Sequence, residues 1–108
     1  MRIAEIAQEL GLELLAGSAE TEIQGGYTSD LLSDVMAHAE EGDALITIQA
    51  HNNTVAVASH VDAPAVIICN ERPIPDEMIQ AATEHEIALC RTSLNQFEVS
   101  GRLYARFR

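Results

Sequence analysis

The sequence predicts an α/β fold in three layers, a mostly parallel sheet with helices on both faces, and three observations carry that prediction. Ala44-Leu45-Ile46-Thr47-Ile48, Ala65-Val66-Ile67-Ile68-Cys69 and Ile87-Ala88-Leu89-Cys90 are short, continuous apolar runs rich in β-branched residues. Such runs mark strands buried on both faces, too short to be helices. Segments with helical spacing separate them, so strand and helix alternate from residue 44 onward. Finally, 108 residues at 47% hydrophobic content suit one compact domain spanning 1–108, which buries about two-thirds of its unfolded surface.

The elements follow in order. Ile3, Ile6, Ala7 and Leu10 share one face of a first helix, with Glu5, Gln8 and Glu9 opposite and Gly11 placed as a left-handed cap. Leu12 to Leu15 reads as a short strand and Gly17-Ser18 as a turn. The alternation in Thr21-Glu22-Ile23-Gln24 suggests a half-exposed strand running into Gly25-Gly26. Those glycines are read as a turn between that strand and a helix whose stripe is Leu31, Leu32, Val35, Met36 and Ala39, with Ser29 and Asp30 at its cap. Glu41-Gly42-Asp43 is a polar turn before the first apolar run. Asn52 or Asn53 caps the next helix, which is expected to bury Val55, Ala58 and Val61.

After the second run, prolines 73 and 75 hold the chain extended. A helix with Met78, Ile79 and Ala82 on its inner face follows. Beyond the third run, Ser93 and Gln96 match a capping box, and Leu94, Phe97, Gly101 and Tyr104 line one side of the last helix, where Gly101 suits close packing. No internal repeat, linker or low-complexity tract is present.

Composition narrows the function. A net charge of −11, from 17 acidic against 6 basic side chains, argues against nucleic acid or an anionic membrane as partner, since both require clustered Lys and Arg. Two Tyr, two Phe and no Trp leave little for base stacking. No apolar run reaches the roughly 18 to 20 residues of a membrane span, so a cytoplasmic location is expected. Cys69 and Cys90 each close an apolar run, as buried reduced thiols do.

Candidate sites follow from chemistry. A glycine turn at a helix start can cradle phosphate, but Ser29 and Asp30 can occupy those amides, and Asp30 with Asp34 repels an anion. A structural turn, or recognition of a neutral hydroxyl-bearing ligand or a subunit surface, are the other readings. In parallel sheets ligands collect beyond the carboxyl ends of the strands. That edge gathers Gly25, Gly26, Tyr27, Ser29 and Asp30 with His51, Asn53 and Thr92, a set able to make a subunit contact or to hold a ribose and base. No CxxC or HxxxH pair supplies metal chelation, no GxxxxGK[ST] loop is present, and pairing Cys69 or Cys90 with His51 lacks any nucleophile motif. No cofactor is expected.

Gly25-Gly26-Tyr27 followed by Ser29-Asp30-Leu31-Leu32-Ser33-Asp34-Val35-Met36, then Gly42-Asp43 and Ile46-Thr47-Ile48-Gln49, resembles the DRTGG domain family over almost the whole chain. The glycines of its signature stand, with Glu22, Ile23 and Gln24 in place of Asp, Arg and Thr. The resemblance implies a regulatory or accessory module similar in fold to the N-terminal domains of HPr kinase/phosphorylase and Mur ligases. It carries none of the kinase's catalytic loop. The expectation is therefore a non-catalytic module for ligand sensing or homodimeric assembly, with an adenine-nucleotide-responsive domain as the alternative and a small thiol-dependent enzyme behind both.

Overall fold

The computed structural model describes residues 1–107. Ten elements follow one another: α1 (Ile3–Leu10), β1 (Glu13–Ala16), β2 (Gly25–Thr28), α2 (Leu32–His38), β3 (Asp43–Thr47), α3 (Asn52–His60), β4 (Ala65–Ile68), α4 (Asp76–Glu84), β5 (Ala88–Arg91) and α5 (Gln96–Arg106). The strands form one sheet in the order β1-β5-β4-β3-β2. β2 to β5 run parallel, and β1 joins antiparallel to β5.

The three apolar runs became β3, β4 and β5, in register Ala44–Ala65–Ala88 and Ile46–Ile67–Cys90. Because side chains alternate across a strand, each run feeds two cores. Ala44, Ile46, Ile67 and Cys90 pack under α1 and α5 with Ile3, Ile6, Leu10, Val99 and Leu103. Leu45, Val66, Ile68 and Leu89 pack against Val35, Val55, Met78 and Ala82 of α2, α3 and α4. The parallel strands step steadily across the sheet, so right-handed crossovers put α2, α3 and α4 on one face. That leaves α1 and α5 to cover the other.

Local chemistry explains the boundaries. Gly11 takes φ +60° and closes α1 by giving its N–H to the carbonyls of Ala7 and Gln8. The α3 cap is His51 instead of an asparagine: its Nδ1 accepts the Asn53 N–H at 3.0 Å. Asn95 instead of Ser93 caps α5, accepting the Glu98 N–H at 2.9 Å.

Two further expectations require correction, beside Thr21-Glu22-Ile23-Gln24, which forms only an isolated bridge from Glu22 to Arg2 with Ile23 fully buried. Gly25 and Gly26 lie inside an extended strand, and neither has a positive φ. Their lack of a side chain serves close approach: a Cβ on Gly26 would stand 3.1 Å from Leu103 Cδ2 and 3.4 Å from Ile46 Cδ1. Gly26 thus lets α5 lie against the edge of the sheet, while a Cβ on Gly25 would stand 3.0 Å from Asp43 Oδ1.

The second correction concerns α5. Val99 and Leu103 form its buried face, whereas Phe97 and Tyr104 are 86% and 70% exposed. A Cβ on Gly101 would meet no neighbour within 4 Å, so this glycine does not serve packing. Gly101→Ala should therefore stabilise the protein by about 0.5–1 kcal/mol through helix propensity alone. Urea unfolding of the variant checks this, and a loss of stability would show that the glycine has another role.

Candidate functional site

A recess runs along the open edge of β2, a trough of about 710 Å³. Gly25 to Thr28 form its floor, α5 supplies one wall, and the end of α2 with the following turn supplies the other. The α5 wall carries Phe97, Ser100, Gly101, Tyr104 and Phe107, and the far wall carries His38, Glu40 and Asp43. Thr28 Oγ1 and Ser100 Oγ are 2.6 Å apart and tie strand to helix. Thr28 with Ser100 and Gly26 with Leu103 show that β2 and α5 run in opposite directions.

Beside this trough a polar chain joins β2 to α2. The Tyr27 hydroxyl donates to Asp34 Oδ2 at 2.8 Å, and His38 Nδ1 lies 3.0 Å from Asp34 Oδ1. The Tyr27 hydrogen bond, then Ser29 and His38, hold the Asp34 carboxyl below its ordinary 3.8, while the same bond holds the Tyr27 phenol above 10.0. A depressed carboxylate pKa stabilises the fold above the unfolded-state value and stops doing so as pH falls through the folded one. The difference in thermal midpoint between the native chain and Asp34→Asn should thus be present at pH 7 and shrink below about pH 4. A difference independent of pH would remove the carboxylate from the account.

The other expected site residues sit elsewhere. Asp30 is a junction: its Oδ1 accepts from Thr47 Oγ1 (2.8 Å), the Ile48 N–H (2.9 Å) and Gln96 Nε2 (2.9 Å). Gln49 Nε2 donates to its backbone carbonyl at 3.0 Å. Ser29 Oγ accepts the Leu31 N–H at 3.2 Å. His51 and Asn53 stand at the exposed start of α3, bonded to each other. Thr92 is 1% exposed, and its hydroxyl donates to the Leu10 carbonyl at 2.6 Å. Of the eight residues named from sequence, the trough gathers Gly25, Gly26 and Tyr27.

The trough does not bring the eight residues together at the carboxyl edge, and the sheet supplies a topological reason. Ligand crevices in open parallel sheets arise where the strand order reverses, and here the parallel strands run 5-4-3-2 without reversal. Sequence reasoning missed Phe97, Tyr104 and Phe107 as trough residues, along with His38 and Glu40. The available signal was an aromatic stripe on a helix whose Val99 and Leu103 offered a rival face.

Burial pushes the Cys69 thiol up to about 11, helped by the Asp30 charge, and the Cys90 thiol up to about 12. Neither forms appreciable thiolate at neutral pH. Among the described residues no three His, Cys, Asp or Glu side chains are grouped to hold a metal ion. No helix among them is long and apolar enough to cross a membrane.

Fold and trough together define a small three-layer α/β module with an open sheet edge. Residues 45–105 match the family model described as HPr Serine kinase N terminus, and the chain belongs to that family. HPr kinase/phosphorylase of Streptococcus uberis is 45% identical over 42 residues, covering 39% of this chain and 14% of that protein. The CBS and DRTGG domains of the regulatory region of Clostridium perfringens pyrophosphatase, solved in complex with the activator diadenosine tetraphosphate, superpose with a TM-score of 0.74. That likeness covers 94% of this chain and 45% of the other at 16% identity, and it is a likeness of fold. The chain thus spans well under two-thirds of either relative.

Proposed function

We propose that this chain, as one DRTGG-like domain over 1–108, is a non-catalytic regulatory or accessory module that senses a small ligand in the trough between β2 and α5. The carrying observation is the trough itself. Its volume of about 710 Å³ falls within the range of sites that hold drug-sized molecules, about 300–1,000 Å³, and aromatic side chains wall it. Two buried, protonated thiols and the lack of a nucleophile with a base leave no group poised for bond-making. The family's place in a kinase's N terminus and the regulatory setting of the pyrophosphatase relative support the same reading.

Adenosine is a suitable neutral aromatic probe, and it also examines the adenine-nucleotide alternative that the relative's activator favours. Titrated against labelled protein, it should shift the amide resonances of Gly25, Gly26, Ser100 and Gly101. Shifts absent at millimolar adenosine, or scattered over the surface, would overturn the trough as a ligand site.

A second reading, homodimeric assembly, is favoured by a contrast between the two sheet edges. β1 is guarded by a bulge between Leu14 and Ala16 and by Arg91, which donates to Glu13 Oε1 at 2.8 and 3.1 Å. β2, Gly25–Thr28, carries no charge, proline or bulge, only its shortness. With exposed Phe97 beside it, this edge offers a second copy backbone partners and an apolar face. Light scattering after gel filtration should give twice the chain mass, reverting to one with Phe97→Glu. A single chain mass at the highest tolerated concentration would dispose of the dimer.

A further inference from the structure

From the backbone of β2 we infer that the trough takes an extended peptide, added to the five-stranded sheet as a further strand antiparallel to β2, with apolar side chains at alternate positions. The inference rests on the reading of the trough as a ligand site and goes further by naming the ligand's class. In a parallel pair, alternate residues turn both N–H and C=O to the neighbouring strand. The register from Gly25–Asp43 to Thr28–Ile46, with the Ser29 N–H on the Ile46 carbonyl at 3.2 Å, turns Gly25, Tyr27 and Ser29 toward β3. Gly26 and Thr28 therefore turn their backbone groups outward, and both residues are exposed. Among the described residues no turn, loop or cap bond occupies those groups, and the Thr28 side chain is spent on Ser100.

Direction and side chains follow from what adjoins the strand. Immediately before β2, residues 1–3 already lie antiparallel to 21–23, with the Ile3 N–H on the Thr21 carbonyl at 3.0 Å and the Ile23 N–H on the Met1 carbonyl at 2.7 Å. An antiparallel strand on β2 would continue that direction and exchange about four hydrogen bonds with Gly26 and Thr28. Residues directly opposite these two share their face of the sheet. That face is the α5 side, where Gly26 approaches Leu103 and Thr28 bonds Ser100. Their side chains would enter the recess that Ile46, Leu103, Phe97 and Phe107 line. The β2 of a second copy would bring only glycine and threonine to that row, too small for a recess of about 710 Å³. Large apolar residues at alternate positions fill it, which favours a peptide over another copy of this chain.

The probe is an acetylated, amidated hexapeptide of alternating Val and Thr, with two analogues N-methylated at every Val or at every Thr. In the antiparallel pairing the Val row faces α5 and carries the N–H groups that meet β2. Titrated against labelled protein, the parent peptide should shift the Gly26 and Thr28 amides and slow their exchange. Methylating Val should weaken binding about tenfold or more, and methylating Thr should change it by less than about twofold. Phe97→Ala should weaken the parent about fivefold, equivalent to about 1 kcal/mol. Phe97 is 86% exposed, so the variant leaves the core intact. Equal affinity for all three peptides, or a loss confined to the Thr-methylated one, would overturn the antiparallel strand. A parent peptide that leaves Gly26 and Thr28 unmoved would overturn the peptide assignment, and twice the chain mass by light scattering would then give the edge to a second copy. Adenosine shifts in the trough would in that case keep it as a ligand site, whereas their absence too would overturn both readings.

Discussion

Gly17→Ala is expected to lower the unfolding free energy by about 3 kcal/mol, more than most single substitutions at a surface turn. Gly17 follows β1 with φ +80°, a conformation that costs an L side chain about 1 kcal/mol or more. Space is the larger difficulty. A Cβ there would stand 2.7 Å from both the Ala88 Cα and the Ile87 carbonyl oxygen, and 2.9 Å from the Ala88 N. All three are backbone atoms at the start of β5, held on the sheet by β4, so they cannot turn aside as a side chain would. The strand must move, and overpacking of this kind costs about 1–3 kcal/mol in addition. Chemical denaturation of Gly17→Ala measures the loss. A change under about 1 kcal/mol would mean that β1 can shift on β5, as the bulge at Leu14/Ala16 would permit only if the edge were loosely held.

The same close approaches explain what could and could not be read from the sequence. The central strands were legible because burial on both faces writes a continuous apolar run, as in Ala65 to Ile68, where every residue is buried. β2 was not, because α5 approaches Gly26 and the Asp43 side chain approaches Gly25 too closely for larger residues, and the adjacent glycines therefore looked like a turn. The face of α5 was misjudged because Phe97 and Tyr104 are larger than Val99 and Leu103. Size made a solvent-facing stripe look like core, and that error concealed the trough. Asp30 looked like a helix cap because local rules favour that role. The group that draws it elsewhere, Gln96, lies 66 positions away, beyond the reach of any local pattern.

Asp30→Ala tests that long-range junction and should cost about 3 kcal/mol. One carboxylate oxygen collects the Thr47 hydroxyl, the Ile48 N–H and the Gln96 amide. Hydrogen bonds to a charged acceptor contribute about 1.5–3 kcal/mol each, and bonds sharing one acceptor do not add. Thr47 is 1% exposed, so its hydroxyl would find little water in place of the carboxylate, and it would also hold the Gln49 N–H, 3.1 Å away, less firmly. Water can reach part of the junction, which keeps the total near the cost of one such bond and a fraction of the others. Asp30→Asn keeps an acceptor in place and gives up the charge, so it should lose about 1 kcal/mol. Urea unfolding ranks the two variants, and amide exchange locates the damage: in Asp30→Ala the Ile48 amide and the first turn of α5 should lose protection before the centre of the sheet. Gln96 opens the helix that walls the trough, so ligand affinity there should fall in Asp30→Ala under conditions where the protein remains folded. Unchanged protection at α5 would show that Leu103 and Val99 hold the helix without help from the loop, and the trough would then owe its width to the core alone.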